Sequence, residues 1–131
     1  MNSVPPHVAD EEELHRLLNP AANACGVDGR VHYMAFFSST DPHHISVDRA
    51  RHRTVEESLR GRERHGLAQL ETGKVRALPV TPPLVVESMP ENGNDAHAEI
   101  VAHETISKNG MKTKVCVLLA GLASVVLQPS R

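Results

Sequence analysis

Three ionisable side chains in the segment 96–103 have the types and spacing that could support chemistry. His97, Glu99 and His103 are separated by even numbers of positions. In an extended strand they therefore share one face, while the alanines and the isoleucine between them form an apolar opposite face. Imidazole and carboxylate groups bind metal ions and transfer protons. His97 and Glu99 are thus the candidate catalytic residues.

The tripeptide His97-Ala98-Glu99 looks like the metal-ligand and proton-shuttle pair of the zinc-dependent cytidine deaminases. That family also needs a downstream Pro-Cys-x-x-Cys motif, because two thiolates complete its zinc site. Only Cys116 follows the tripeptide in this chain. In the deaminases the motif also opens a helix, whereas we interpret 96–103 as a strand, with a short helix capped by Asp95 as the alternative. The sequence therefore argues against a deaminase.

Ligand counting also argues against a zinc site here. Structural zinc takes four ligands, and catalytic zinc takes three and a water molecule. On a strand His97 and Glu99 are ~7 Å apart and His103 is ~20 Å from His97, so at most two of them can meet one ion. In a helix Glu99 and His103 would instead be neighbours. We expect no metal and no cofactor, unless the fold brings His43 or His44 to His97.

A second candidate site is the basic stretch that precedes a predicted helix. Arg49, Arg51 and Arg53 lie close together, with His52 between the last two. Arginine side chains and helix N-termini both favour phosphate or carboxylate groups. Neighbouring acidic residues balance much of this charge, so a solvated surface is the alternative interpretation. The three arginines are the candidate anion-binding residues.

Composition limits the classes of partner. The 131 residues suit one domain, and a net charge of −2 gives no field that would attract nucleic acid or anionic lipid. Aromatic residues make up 2% of the chain, so platforms for base stacking are not expected. The uncharged run 115–127 is shorter than the ~20 residues that span a bilayer. We expect no membrane partner and no nucleic acid, and a protein partner or self-association stays open.

Cysteine usage and the first residues bear on localisation. Cys25 and Cys116 form no spaced set, which suits a reducing cytoplasm. The N-terminus has neither a basic region nor an apolar region of the signal-peptide type. The sequence therefore predicts a cytoplasmic protein.

The first half of the chain contains helix and strand signals. Residues 1–9 predict a flexible lead-in to a single domain over 10–131. Asp10 is the predicted cap of a first helix that stops at Asn19-Pro20. Alternating apolar residues predict a strand over 30–37 and a short strand over 45–47. A capping box at 54–57 predicts a helix that continues to about Arg64.

The second half adds the remaining elements. Short apolar runs predict strands at 67–70, 84–87, 96–103 and 124–127, and residues 72–78 suggest a turn or a short helix. Helical spacing of apolar residues predicts a helix over 111–122. The predicted fold class is α+β, with a small mixed or antiparallel sheet and two to three helices packed on one face.

Several short motifs resemble a family of small uncharacterised bacterial proteins. They include Ile45-Ser46-Val47-Asp48, Thr54-Val55-Glu56-Glu57-Ser58-Leu59 and His97-Ala98-Glu99-Ile100. The motifs are spread over most of residues 30–130. The run Gly93-Asn94-Asp95 departs from the family pattern, in which a shorter link with proline is expected. The resemblance implies a bacterial lineage and no assigned function.

Two classes of function follow from these observations. We expect a binding or protein-interaction module. The alternative is a small enzyme that acts on an anionic or nucleotide-like substrate, with Arg49, Arg51, His97 and Glu99 converging in one cleft. An enzyme requires those groups in a concave pocket, whereas an interaction module requires an exposed apolar patch.

Overall fold

The structure, a computed structural model, describes residues 4–22, 24–26 and 28–130. Six strands form one antiparallel sheet: β1 (Glu13–Leu18), β2 (His44–Arg49), β3 (Gly66–Glu71), β4 (Val85–Ser88), β5 (His97–Val101) and β6 (Ser124–Leu127). Their order across the sheet is β4-β5-β2-β1-β3-β6. The sheet is larger than predicted, and the antiparallel α+β fold class is confirmed.

Short helices connect and cover the strands. They are α1 (Val55–Ser58), α2 (Thr72–Arg76), α3 (Lys108–Gly110) and α4 (Cys116–Leu122), and a π-helical turn (Met111–Val115) joins α3 to α4. Two further turns of 3-10 helix occupy Pro20–Ala22 and Tyr33–Ala35. None of the helices in the described ranges combines the length and the apolar character needed to cross a membrane.

One face of the sheet carries the hydrophobic core. The two-residue period of each strand directs its apolar residues to this face, and the C-terminal helical segment packs over them. Ile100 of β5 lies opposite Ile45 of β2 and opposite Val86 of β4, and all three are buried. Met111, Val115 and Leu119 complete the cluster from the helical side. The core confirms the central position predicted for Ile100.

The predicted first helix is wrong, because residues 13–18 form strand β1. All six of its residues pair with β3, from Glu13 opposite Glu71 to Leu18 opposite Gly66. Asp10 forms an ion pair with Arg76 at 2.7 Å and caps no helix. The apolar residues of this segment fit helical spacing equally well, but the long antiparallel ladder with β3 outweighs the local signal.

The strand predicted over 30–37 is also wrong. Val31 forms a single bridge with Cys25, and Tyr33–Ala35 then turn as 3-10 helix, where the Ala35 amide donates to the His32 carbonyl. Ala35 and Phe36 are both buried although they are consecutive. A strand would direct them to opposite faces, so the apparent alternation describes a folded loop.

The helix after Thr54 begins as predicted and ends early. The capping box forms, since Thr54 Oγ1 accepts from the Glu57 amide and the Glu57 carboxylate accepts from the Thr54 amide. The helix stops at Ser58 rather than near Arg64. Gly61 follows with a φ of 78°, a left-handed conformation that glycine adopts without steric cost.

Residues 1–9 are predicted as a flexible lead-in; residues 1–3 lie outside the described part of the chain, and residues 5–9 contact the domain. Val8 is 1% exposed and belongs to the core. The carbonyls of Pro5 and His7 accept hydrogen bonds from Arg49. Residues 5–9 therefore belong to the folded domain.

Replacing Ile100 with alanine is expected to lower the free energy of unfolding by ~2–5 kcal/mol, because the buried methyl groups are lost and a cavity remains. Val85 is the matched control: it lies in the neighbouring strand and is 46% exposed, so Val85→Ala should change stability by about 0.5 kcal/mol or less. Urea denaturation of both variants measures the difference. Equal midpoints for Ile100→Ala and the parent protein would contradict this core.

Candidate functional site

A row of polar side chains crosses the sheet on the face opposite the core. His97 of β5 lies opposite Asp48 of β2, Asp48 lies opposite His15 of β1, and His15 lies opposite Gln69 of β3. Residues directly opposite in antiparallel strands point to the same face. His97 is 6% exposed and His15 is 7% exposed. This histidine–aspartate–histidine–glutamine row is polar and largely buried.

Asp48 attaches two walls to this row. Its carboxylate accepts hydrogen bonds from Ser58 Oγ at 2.7 Å and from Asn94 Nδ2 at 2.8 Å. Ser58 is the last residue of α1, and Asn94 lies in the turn between β4 and β5. A cleft of about 370 Å³ lies between these walls and the sheet. We call it the polar cleft; its lining includes His15, Arg16, Asp48, Arg53, Arg62 and His97.

Arg53 and Arg62 line the polar cleft, and Arg16 borders it at the sheet, where its guanidinium group is held by backbone carbonyls. Arg53 donates to the Glu57 carbonyl at 3.0 Å, and its Nε, 3.6 Å from Asp48, is buried without a hydrogen-bond partner. Arg16 donates to two neutral carbonyls, those of Ala35 and Ser46. Within the described ranges, neither Arg16 nor Arg62 forms an ion pair with a carboxylate.

The cleft is cationic despite the protein's negative net charge. Burial lowers the pKa of Arg16, but a guanidinium remains charged at neutral pH. Against the three arginines stand two carboxylates, Asp48 and Glu91. Asp48 forms an ion pair with Arg53 at 3.6 Å, and Glu91 lies at the rim, 60% exposed and 3.5 Å from His97 Nε2. An anionic solute would therefore find uncompensated positive charge inside the cleft.

The sequence-predicted catalytic pair is divided between two environments. His97 lines the polar cleft, where its Nδ1 lies 2.8 Å from the Met89 carbonyl oxygen. Glu99 shares the face of β5 with His97, as predicted, but it lies 3.0 Å from His44 and does not line the cleft. His103 is exposed beyond the end of β5 and contacts Thr105 at 2.8 Å. His97 is thus the one member of this set that lies in the cleft.

The predicted anion-binding arginines are also separated. Arg53 lines the polar cleft, and Arg51 is exposed outside it. Arg49 points to the core face and is 0% exposed. Its Nε and Nη2 each donate to one oxygen of Glu12 at 2.8 Å. The predicted convergence of Arg49 with His97 and Glu99 is therefore wrong, because consecutive residues of β2 face opposite sides of the sheet.

Several residues of the cleft were not found from the sequence. His15 and Arg16 fell within the incorrectly predicted first helix, and Arg62 within the part of the second helix that does not form. Asp48 enters the sequence analysis only as one of the acidic residues that balance the charge of the basic stretch. Its position one residue beyond the predicted strand 45–47 was the available signal, because alternation places it on the face opposite Val47.

Among residues 4–22, 24–26 and 28–130, no three His, Cys, Asp or Glu side chains lie close enough together to hold a metal ion. Comparisons of the chain with protein-family models, with curated proteins and with solved structures found no match. The bacterial family suggested by the short motifs stays a prediction.

The Glu12–Arg49 pair makes stability depend on acid pH. Burial raises the pKa of Glu12, but hydrogen bonds from Arg49 and from the Ala9 amide outweigh burial and leave that pKa below its usual 4.5. Because the pKa of Glu12 is lower in the folded protein than in the unfolded chain, its ionised form stabilises the fold at pH values above the unfolded-state pKa. This stability is lost as the pH falls through the pKa of the folded state.

Glu12→Gln should therefore flatten the fall in unfolding free energy between neutral pH and about pH 3, by at most about 1.4 kcal/mol per pH unit. Glu13→Gln is the control, since Glu13 forms no ion pair in the described part of the chain. Urea denaturation across this pH range gives the slopes. An unchanged slope in Glu12→Gln would refute the assignment.

Proposed function

We propose that the protein is a binding module whose ligand is a small anionic solute held in the polar cleft. The observation that carries this proposal is the placement of Arg16, Arg53 and Arg62 around one cleft, with two of the three lacking a carboxylate partner within the described residues. Arg62 is exposed, so water screens its charge, whereas Arg16 is half-buried, and a buried cation without a counter-charge is costly unless something pairs with it. A carboxylate or phosphate group would supply the missing charge.

The lining suits recognition of a polar molecule. A volume of about 370 Å³ lies at the small end of ligand pockets, which favours a metabolite-sized solute. Arg53 and Arg62 extend from the wall that contains α1, and the Asn92 and Asn94 side chains belong to the opposite wall. Hydrogen bonds between charged groups are roughly twice as strong as neutral ones, so the arginines would dominate affinity.

Catalysis has less support than binding. Asp48 already accepts two hydrogen bonds, and Glu99 lies outside the cleft. A general base must reach the proton that it removes. His97 and His15 are the remaining candidates, and each ring has one nitrogen within hydrogen-bonding distance of a neighbour. The enzyme alternative would share the same class of anionic ligand.

We further propose a bacterial cytoplasmic setting. The two cysteines form no disulfide-type spacing, and burial raises the pKa of the Cys116 thiol to about 11. A thiol with a raised pKa is a weak nucleophile at neutral pH. The cysteine spacing suits a reducing compartment, and the weakly nucleophilic thiol leaves the polar cleft as the chemically distinctive part of the protein.

Inorganic phosphate should raise the thermal midpoint of the protein at constant ionic strength, because a ligand that binds only the folded state stabilises it. The double variant Arg53→Gln, Arg62→Gln should lose this response. Arg60→Gln is the matched control, because Arg60 is exposed and lies outside the cleft. If the parent protein does not respond, or if all three proteins respond equally, the proposal fails.

A second candidate function, self-association, is favoured by an apolar surface at the other side of the molecule. Strand β6 is an outer strand, and its residues Val126 and Leu127 are 45% and 43% exposed. A groove of about 850 Å³ adjoins it, with Met34 and Val117 among its lining residues. Exposed apolar patches of this kind often mark interfaces.

We propose that a second copy of the chain covers this surface by pairing β6 with β6. Strand β6 contains no charged residue and no proline, so two copies can meet edge to edge without repulsion. The opposite edge, β4, contains Glu87 and is preceded by Pro82 and Pro83. Charges and prolines oppose such pairing, which leaves β6 as the self-complementary edge.

Sedimentation over a range of protein concentrations tests this second candidate. The parent protein should approach twice the monomer mass, and Val126→Lys should remain monomeric, because it places like charges on both edges. Val85→Lys on β4 is the control and should dimerise as the parent does. A parent protein that stays monomeric throughout, or a Val126→Lys variant that still dimerises, contradicts the β6 interface.

A further inference from the structure

The pairing between β1 and β2 stops in the middle of the sheet. These two strands pair at Leu14 with Arg49 and at His15 with Asp48, and no further. Both strands continue beyond this point, since β1 remains paired with β3 as far as Leu18, and β2 remains paired with β5 as far as His44. The sheet therefore contains an opening between two of its central strands.

The backbone groups that border this opening follow from the ladder pattern. The Ala50 amide donates to the Glu13 carbonyl, so Glu13, His15 and Leu17 direct their backbone groups toward β2. The Arg49 amide donates to the Ala96 carbonyl of the segment leading into β5, so Ser46 directs its own groups toward β1. Had the ladder continued, Leu17 and Ser46 would form a hydrogen-bonded pair.

A guanidinium group takes the place of that pair. Arg16 Nη1 donates to the Ser46 carbonyl at 2.7 Å, and Arg16 Nε donates to the Ala35 carbonyl at 2.8 Å. The Ser46 carbonyl is thereby satisfied, while the Leu17 and Ser46 amides have no ladder partner. The Nη2 of Arg16 makes no hydrogen bond within the described residues. The Leu17 carbonyl also lacks a ladder partner, so the two amides and Arg16 Nη2 stand against one unpaired carbonyl at the opening.

The polar cleft lies directly over the opening. Arg16, Leu17, Ser46 and Val47, which border the interruption, all line the cleft. Beside them His15 is 7% exposed, and its buried Nδ1 has no hydrogen-bond partner. Because His15 Nε2 lies 3.2 Å from the acceptor Gln69 Oε1, Nδ1 of the neutral ring is an acceptor. Buried polar groups are almost always paired, so the partner that Nδ1 lacks is a donor group of a ligand rather than its oxyanion.

We infer that the opening between β1 and β2 is the seat of the ligand's oxyanion, a carboxylate or phosphate group. Its oxygens accept hydrogen bonds from the Leu17 and Ser46 amides and from the guanidinium of Arg16. Arg53 and Arg62 then hold the remainder of the ligand nearer the entrance. This inference rests on the proposed function and adds the position and chemistry of the deepest contact.

Backbone amide resonances test the seat without any substitution. In titrations of the ¹⁵N-labelled protein with inorganic phosphate and, separately, with acetate, the amides of Leu17 and Ser46 should shift saturably. Ala98, on the ladder between β2 and β5, should not shift. Saturation by phosphate alone would assign the oxyanion as a phosphate, and saturation by acetate alone would assign it as a carboxylate; either result supports the seat.

Two other outcomes overturn the inference in distinguishable ways. Saturable shifts at Asn92, Asn94 and Arg62 without shifts at Leu17 and Ser46 would remove the seat and leave the proposed function intact. The absence of saturable shifts anywhere in the cleft would remove both.

A substitution provides the second arm of the test. Arg16→Lys keeps the charge but loses the planar fork, so phosphate should bind about tenfold more weakly. Arg30→Lys is the matched control, because the Arg30 side chain is 85% exposed. Equal affinity in a folded Arg16→Lys protein would contradict the inference, and the titration of the parent protein decides the matter if this variant does not fold.

Discussion

The carboxylate of Asp48 is the contact on which the polar face of the protein depends. It accepts hydrogen bonds from the end of α1 and from the turn between β4 and β5, and it lies between two histidines of adjacent strands. Asp48 thereby joins both walls to the middle of the sheet, and His97 adds a second contact to the wall between β4 and β5 through the Met89 carbonyl. The cleft is therefore a product of the fold's own hydrogen bonding, built before any ligand binds.

Consecutive side chains of β2 point to opposite faces of the sheet, so this strand contributes both to the polar cleft and to the core. Asp48 faces the cleft, and the next residue, Arg49, is buried on the other face with Glu12. A buried ion pair is weak evidence for stability, yet loss of one partner is strongly destabilising. Arg49 also donates to the carbonyls of Pro5 and His7 and so fixes the N-terminal segment. Arg16, by contrast, has only neutral carbonyl partners and faces the opening in the sheet.

The sequence predicted the fold class and most of the strands, because apolar alternation at 45–47 and 96–103 and the short apolar run at 67–70 are typical of strands. The prediction was wrong where the same apolar residues fit both the helical and the strand periodicity. The leucines of β1 suit a helix as well as a strand, and only pairing with β3 decides between them. The site was harder to predict, because Arg16, Asp48 and Arg62 come from distant segments. Their convergence depends on strand order, which local patterns do not contain.

The account is tested most directly by locating an oxyanion in crystals of the protein. Selenate is a tetrahedral oxyanion whose selenium gives an anomalous signal, so its position can be read without assumptions about the ligand. We expect the strongest anomalous peak in the polar cleft, within hydrogen-bonding distance of the Leu17 and Ser46 amides and of Arg16. Peaks confined to exposed arginines such as Arg30, Arg51 and Arg60, with none in the cleft, would contradict the account.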